Sequence, residues 1–322
     1  MVDQLLLLLI FIVKVFSVGL VIVFSFALIL IVSRKKAHDE GIKVTYINDQ
    51  LRATVDNVKR SILKGKELKA FKRSQKEHKK MIKKNALPRL WMIDFKGDIN
   101  ASQTTALREE VTLILSLYES GDQVAVRIEN PGGAVHEHGL AASQLQRLKE
   151  REIPLVVLVD KVAASGGYLM ATVADKIIAA PFAIIGSIGV IAQLPNFNRW
   201  LEKRGVDFEQ VTAGKFKRTL TMFGKNTEEG REKLQGDLEE IHVLFKNQIE
   251  RYRPSIDIDK VATGEYWFGS RALELGLIDA IQTSDDYLVE SVKEMDIYKV
   301  EFKKVKKLKE KILHMGQTLL NS

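Results

Sequence analysis

The feature that most restricts the fold of this chain is an almost wholly apolar run from Leu5 to Val32, in which Lys14 is the single charged residue. A helix needs roughly 20 such residues to cross a lipid bilayer. A cleaved signal peptide has an apolar region of only about 7–15 residues and a small-residue cleavage site, and the sequence shows neither. The run is also too long and too one-sided for a buried core helix. It therefore predicts a retained transmembrane anchor within residues 1–33 and contact with membrane lipid.

A basic neck, residues 34–87, follows the anchor. Residues 34–84 hold 17 Lys and Arg against six Asp and Glu, while the whole chain has a formal net charge of +8. The positive charge therefore belongs to the neck, which argues against nucleic-acid binding by the rest of the chain. The basic run 64–84 fits either a solvated face or a surface attracted to anionic lipid headgroups. Four apolar residues at helical spacing predict a short helix here: Leu51, Val55, Val58 and Ile62.

From Pro88 onward, short apolar runs alternate with helix-like stretches. The runs are rich in Val and Ile and end at Gly, Pro, Asn or Asp, which is typical of buried strands: 90–95, 124–128, 155–159 and 176–180. Helices are predicted at 104–119, 139–150 and 227–253, the last with Thr227 as its N-cap. This alternation predicts a parallel α/β arrangement. We assign residues 88–290 to this domain and residues 291–322 to a basic C-terminal tail.

Two glycine-rich segments carry groups suited to catalysis. Residues 129–133 (Glu-Asn-Pro-Gly-Gly) follow a strand, and free N–H groups in such a turn can bind a developing negative charge. Residues 163–168 (Ala-Ala-Ser-Gly-Gly-Tyr) place Ser165 at a predicted helix N-terminus, where N–H groups converge. Each has a plainer interpretation: an ordinary strand-to-helix turn for the first, and a simple N-cap serine for the second.

Two further segments could complete a catalytic site. Residues 186–189 (Gly-Ser-Ile-Gly) hold a second hydroxyl, Ser187, that could orient a base, or they form a plain turn. Residues 214–218 (Gly-Lys-Phe-Lys-Arg) hold two lysines, Lys215 and Lys217. A lysine acts as a base only when neutral, which desolvation and nearby positive charge both favour. The alternative is a solvated basic turn.

The chain has no cysteine, which excludes a Cys nucleophile and thiolate zinc sites, and no metal or nucleotide motif suggests a cofactor.

Together and in this order, the four segments resemble the signal peptide peptidase A (S49) family of serine–lysine peptidases. The likeness is greatest to its single-domain, membrane-anchored bacterial members, and it extends from residue 89 to residue 286. Three further stretches support it: 141–148, 195–199 and 226–233. The resemblance implies a ClpP/crotonase-type fold, a spiral of ββα units, and makes residues 88–290 a peptidase domain. It also implies a peptide or protein substrate, such as signal peptides or envelope proteins, no cofactor, and a homo-oligomer.

The resemblance assigns roles to particular residues. Ser165 matches the nucleophile, and Lys217, 52 residues later, matches the general base at the family spacing. Ser187 matches the hydroxyl that orients the lysine. The N–H groups of Gly132 and Gly166 match the oxyanion hole.

Three rival functions are considered. A Ser–His mechanism could use His136 or His138, which closely follow the Gly-Gly turn, but the nucleophile-elbow fold places its acid and histidine after the serine. A crotonase-like acyl-CoA enzyme would share the fold, but would need neither an anchor nor a Lys–Ser pair. A non-catalytic membrane scaffold could retain the peptidase fold, which the intact Ser165 and Lys217 argue against.

The side of the membrane is predicted in two opposite ways. The basic neck directly after the anchor favours a cytoplasmic location by the positive-inside rule. The resemblance instead favours a domain outside the bacterial inner membrane. Large domains translocate largely regardless of charge, so both locations stay open.

Overall fold

A computed structural model of the chain describes residues 14–17, 19–21, 23–24, 41–82 and 87–303. The predicted anchor lies mostly outside these residues, and no helix within them is long and apolar enough to cross a membrane. Residues 44–300 form one compact unit, and the second unit comprises residues 1–43 and 301–322. In the second unit the described residues are helical between 14 and 24 and extended at 41–43 and 301–303.

A seven-stranded sheet is the main feature of the fold. Its strands are, in spatial order, β1 (Gly41–Tyr46), β10 (Asp296–Lys303), β2 (Arg89–Lys96), β3 (Gln123–Glu129), β4 (Leu155–Val159), β6 (Lys176–Ala179) and β9 (Ala280–Ile281). All pairs from β10 to β9 are parallel. The four strands predicted from apolar runs are β2, β3, β4 and β6, and the predicted mixed α/β class is confirmed.

A second, three-stranded sheet stands beside the first. It consists of β5 (Val162–Ala164), β7 (Ile184–Gly186) and β8 (Tyr266–Phe268), in that order. β5 and β7 are parallel, and β7 and β8 are antiparallel. A single bridge between Asn130 and Ala163 joins the end of β3 to β5 and so links the two sheets.

The helices connect these strands. They are α1 (Ile47–Ile62), α2 (Gly65–Ile82), α3 (Thr104–Leu117), α4 (Val135–Lys149), α5 (Gly166–Ala171), α6 (Asn198–Glu202), α7 (Glu228–Tyr252), α8 (Ile258–Val261), α9 (Gly269–Glu274) and α10 (Ser284–Ser291). The predicted cap of α7 is confirmed, because Thr227 Oγ1 accepts a hydrogen bond from Gly230 N–H at 3.1 Å. α4 begins four residues earlier than predicted, directly after the Pro-Gly-Gly turn.

The apolar runs became strands because both faces of the sheet are covered. Every residue of β4 is buried, and in β3 Val124, Val126 and Ile128 are fully so. Each such side chain stabilises the fold by about 1.5–3 kcal/mol relative to its exposed state. Burial on both faces removes the polar alternation of a half-exposed strand, which is why the sequence shows continuous apolar runs.

An asparagine in the neck is bonded to the start of β10. The fully buried Asn48 in α1 donates from Nδ2 to the carbonyl of Met295 at 2.9 Å and accepts at Oδ1 from Ile297 N–H at 2.8 Å. Tyr46 donates its hydroxyl to Asp296 at 2.6 Å. Both β10, which follows residue 290, and α1, which precedes residue 88, therefore contribute to the compact unit.

We expect Asn48→Ala to lower the free energy of unfolding by about 2–4 kcal/mol, because it leaves a buried carbonyl and a buried N–H without partners. The urea midpoint of unfolding measures this change. Asn57→Ala, at an exposed asparagine of the same helix, is the matched control and should shift the midpoint little. Equal, small shifts in both variants would show that the neck contributes nothing to the stability of the sheet.

Candidate functional site

Two serines lie side by side where β5 and β7 end. The strands are parallel and in register, with Ala164 opposite Gly186. The next residues are Ser165 and Ser187, and Ser165 N–H donates to the carbonyl of Gly186 at 2.7 Å. Both serines are partly exposed.

Both serines have an unusual backbone conformation. Ser165 has φ 50° and Ser187 has φ 52°, in a region that L-residues with a Cβ rarely adopt. Such a conformation costs on the order of 1–3 kcal/mol and persists only where the surroundings impose it. The same strain is found at many active sites, and two strained serines on neighbouring strands mark this edge as the candidate site.

Gly132 lies directly against Ser165. A Cβ added to Gly132 would come within 2.7 Å of Ser165 Cβ and 2.8 Å of Gly166 N. Gly132 also has φ +93°, which disfavours any other residue. The structure thus brings together Gly132, Ser165, Gly166 and Ser187, which lie up to 55 positions apart in the chain.

Ser165 occupies the N-cap position of the short helix α5, but its side chain makes no capping hydrogen bond. The simple N-cap interpretation therefore lacks the bond that defines it. Among the described residues, Ser165 Oγ has no hydrogen-bond partner at all, which leaves the hydroxyl available for chemistry.

Behind the Gly132 turn lies a buried pair, Asn130 and His138, both with 0% exposed surface. Asn130 Oδ1 accepts from Gly132 N–H at 2.9 Å and lies 3.2 Å from His138 Nε2. His138 Nδ1 lies 3.0 Å from the carbonyl of Ala134. From sequence, His138 was predicted only as a rival base, and Asn130 had no predicted role of its own.

The contacts of the two histidines near the turn do not support a Ser–His mechanism. Both ring nitrogens of His138 are engaged by Asn130 and Ala134, and neither contacts Ser165. His136 is exposed and pairs with Glu137.

No hydrogen bond joins Lys217 to Ser165 among the residues that the structure describes. Lys217 lies in an exposed turn, where its N–H donates to the carbonyl of Gly214 at 3.1 Å. Within the described ranges its Nζ makes no hydrogen bond or ion pair, whereas the neighbouring Lys215 forms an ion pair with Glu229. Of the two lysines, Lys217 is thus the one whose amine is not engaged.

Tyr168 anchors the short helix α5, whose N-cap is Ser165, to the chain at Leu277. Its buried hydroxyl donates to the carbonyl of Leu277 at 2.9 Å, and burial raises the pKa of this hydroxyl above its ordinary value. Asp279, two residues after Leu277, accepts hydrogen bonds from the Arg253 guanidinium and from Ile177 N–H. Burial alone would raise the pKa of the Asp279 carboxyl, but these bonds outweigh it and lower that pKa. The base of the site is therefore a rigid polar network.

No group of three or more His, Asp or Glu residues in the described part of the chain could hold a metal ion. The groups that the structure places at this edge are two hydroxyls and backbone N–H groups.

Comparison with known proteins identifies the family. Residues 3–145 match the model of "Peptidase family S49 N-terminal" and residues 147–297 that of "Peptidase family S49". The chain is 46% identical to "Probable protease SohB" of Buchnera aphidicola subsp. Schlechtendalia chinensis over 86% of this chain and 95% of that protein. The chain belongs to peptidase family S49.

A second relative agrees with this placement. The chain is 57% identical to "Probable protease SohB" of Haemophilus influenzae over 68% of this chain and 62% of that protein. A solved structure, a mutant of the "1510-N membrane-bound stomatin-specific protease" in complex with a substrate peptide, matches with a TM-score of 0.45 and 13% identity. That match covers 71% of this chain and 97% of the other.

We expect Gly132→Ala to reduce peptide hydrolysis by roughly 100-fold or more, because the new methyl would displace Ser165 and strain the backbone. Gly139→Ala is the matched control, since a Cβ there meets nothing within 4 Å. Turnover of a fluorogenic peptide measures both. Equal activity in the two variants would show that close contact between Gly132 and Ser165 has no part in catalysis.

Proposed function

We propose that this S49 peptidase is a membrane-anchored serine endopeptidase in which Ser165 is the nucleophile and Lys217 the general base. The observation that carries the proposal is the register of β5 and β7, which sets Ser165 beside Ser187 and against Gly132. An ordinary structural turn would not need a serine with positive φ and an unengaged hydroxyl. The fold proposed for the domain is the ClpP/crotonase spiral.

In the proposed reaction, Ser165 Oγ attacks the carbonyl carbon of the scissile peptide bond, and neutral Lys217 takes the hydroxyl proton. The negative charge moves to the carbonyl oxygen, where the N–H groups of Gly132 and Gly166 stabilise it. The protonated lysine then donates its proton to the leaving amine. Water hydrolyses the acyl-enzyme in a second, similar step.

Ser187 is proposed to orient the lysine. It lies at the same level as Ser165 on the neighbouring strand, so one amine could contact both hydroxyls. Its positive φ directs the chain away from the strand at that point, as at Ser165.

The exposed position of Lys217 supports a dyad assembled between subunits. The segment from residue 191 to residue 223 also exposes large apolar side chains, including Ile191 (79% exposed), Trp200 (56%) and Val211 (97%). An unpaired apolar surface of this kind is typical of protein contacts. We therefore propose a homo-oligomer in which this segment packs on a neighbouring subunit and Lys217 becomes desolvated there.

We also propose that the run from Leu5 to Val32 anchors the peptidase in the bacterial inner membrane. The substrates are then peptides or proteins at that membrane, such as signal peptides or envelope proteins. A reporter fused after Ser322 distinguishes a periplasmic from a cytoplasmic domain.

Ser165→Ala and Lys217→Ala should each lower peptide hydrolysis by roughly 10⁴-fold or more without unfolding the protein, since each removes one partner of the dyad. Lys215→Ala is the matched control, because that amine already pairs with Glu229. Labelling by a fluorophosphonate probe should disappear in Ser165→Ala. Wild-type turnover in that variant would refute the nucleophile, and an unlabelled, inactive wild type would favour a scaffold.

Mixing the two inactive variants tests where the dyad forms. If Ser165 and Lys217 come from neighbouring subunits, mixed oligomers of Ser165→Ala and Lys217→Ala should regain part of the activity. Hydrolysis after co-refolding, compared with each variant alone, measures this. Mixed oligomers that assemble but stay inactive would show that both residues act within one chain.

A further inference from the structure

The Gly132 N–H, proposed above as an oxyanion donor, already has a partner in the free protein. It donates to Asn130 Oδ1 at 2.9 Å in a turn that spans residues 130–132. A substrate oxygen can be stabilised by this N–H only if the hydrogen bond turns wholly or partly from Asn130 to the substrate. Asn130 Oδ1 is fully buried and would then lose an N–H donor.

The orientation of the Asn130 amide is fixed by its neighbours. With the amide reversed, Nδ2 would face Gly132 N–H, so that two donors would meet at 2.9 Å. In the orientation described, Nδ2 instead lies 3.4 Å from Met170 Sδ, a weak acceptor. Oδ1 therefore faces both Gly132 N–H and His138 Nε2. Oδ1 and the Ala134 carbonyl oxygen near Nδ1 can both only accept, so a neutral ring donates to one of them. The tautomer that donates to Oδ1 carries its hydrogen on Nε2.

Three glycines make room for this pair of side chains. A Cβ on Gly97 would overlap Asn130 Oδ1 at 2.1 Å, and a Cβ on Gly166 would approach the His138 ring at 2.4 Å. A Cβ on Gly167 would meet the carbonyl of Asn130 at 2.1 Å. The Gly-Gly pair after the nucleophile thus also accommodates Asn130 and His138.

We propose that His138 is a positioning residue that keeps Asn130 Oδ1 hydrogen-bonded while Gly132 N–H is given over to the substrate oxygen. The proposal rests on the proposed serine peptidase function. With hydrogen on Nε2, Oδ1 has two donors in the free enzyme, Gly132 N–H and His138 Nε2–H. In the transition state it keeps the second.

The benefit of His138 is therefore greatest in the transition state. Without it, Asn130 Oδ1 still has Gly132 N–H in the free enzyme, so folding loses little hydrogen bonding there. Once the substrate oxygen takes that N–H, the buried carbonyl oxygen has no donor, which is costly. Removal of His138 should therefore lower kcat more than it raises KM.

The experiment compares His138→Leu, which fills similar space without a donor, with His138→Gln, whose side-chain amide can donate to Asn130 Oδ1. His138→Leu should lower kcat by roughly tenfold to 100-fold with KM changed by about twofold or less. His138→Gln should recover most of that loss. The inhibition constant of a peptide aldehyde, whose adduct places an oxyanion in the hole, should rise in His138→Leu and not in His138→Gln.

His136→Leu is the matched control, since His136 is an exposed histidine two residues away with 83% of its side chain exposed. Equal kcat in wild type and His138→Leu would overturn the proposal, and so would equal losses in the Leu and Gln variants. If His138→Leu does not fold, as judged by its thermal midpoint, His138→Met gives the same comparison.

Failure of the underlying function gives a different result. If wild-type hydrolysis does not depend on Ser165, the serine peptidase function fails before His138 is tested. If it depends on Ser165 and is indifferent to His138, only this inference fails.

Discussion

The whole site depends on the backbone pairing of Asn130 with β5. Asn130 N–H donates to the backbone carbonyl of Val162 at 2.9 Å, and Ala164 N–H donates to the backbone carbonyl of Asn130 at 3.0 Å. Buried backbone groups must find such partners, so the end of β3 is fixed to β5 in one register. That register places the turn after Asn130 next to the residue after Ala164, which is Ser165. This bridge therefore holds the glycine turn at the end of the first sheet next to the serine at the end of the second.

The backbone strain at the two serines and the need for glycine around them have the same cause. The chain leaves β5 and β7 at Ser165 and Ser187 with positive φ, which is unfavourable for each residue alone. The surrounding sheet hydrogen bonds and the anchored Tyr168 hold that conformation. Glycine is then required wherever another chain segment approaches, as at Gly132. The cluster of glycines is thus the result of bringing three backbone segments together around one hydroxyl.

Much of the fold could be predicted because its signals are local. The buried strands appear as continuous apolar runs, and Thr227 at the start of α7 appears as a cap residue with acids behind it. The roles of Ser165 and Lys217 came from resemblance, and they stay predictions. The Asn48 bonds to β10 could not be predicted, because the partners lie almost 250 residues apart. The pairing of Asn130 with His138 could not be predicted for a similar reason, because the sequence around each residue does not show that it is buried.

The neck and the site are connected through the sheet. Asn48 bonds the start of β10, β10 pairs with β2, and β2 pairs with β3, which ends beside Asn130. The first step is made by the side chain of Asn48, and the strand pairings are rows of backbone hydrogen bonds in fixed register. A one-residue slip in that register would turn buried side chains outward. The segment between the predicted anchor and the peptidase domain is therefore part of the framework that holds the site.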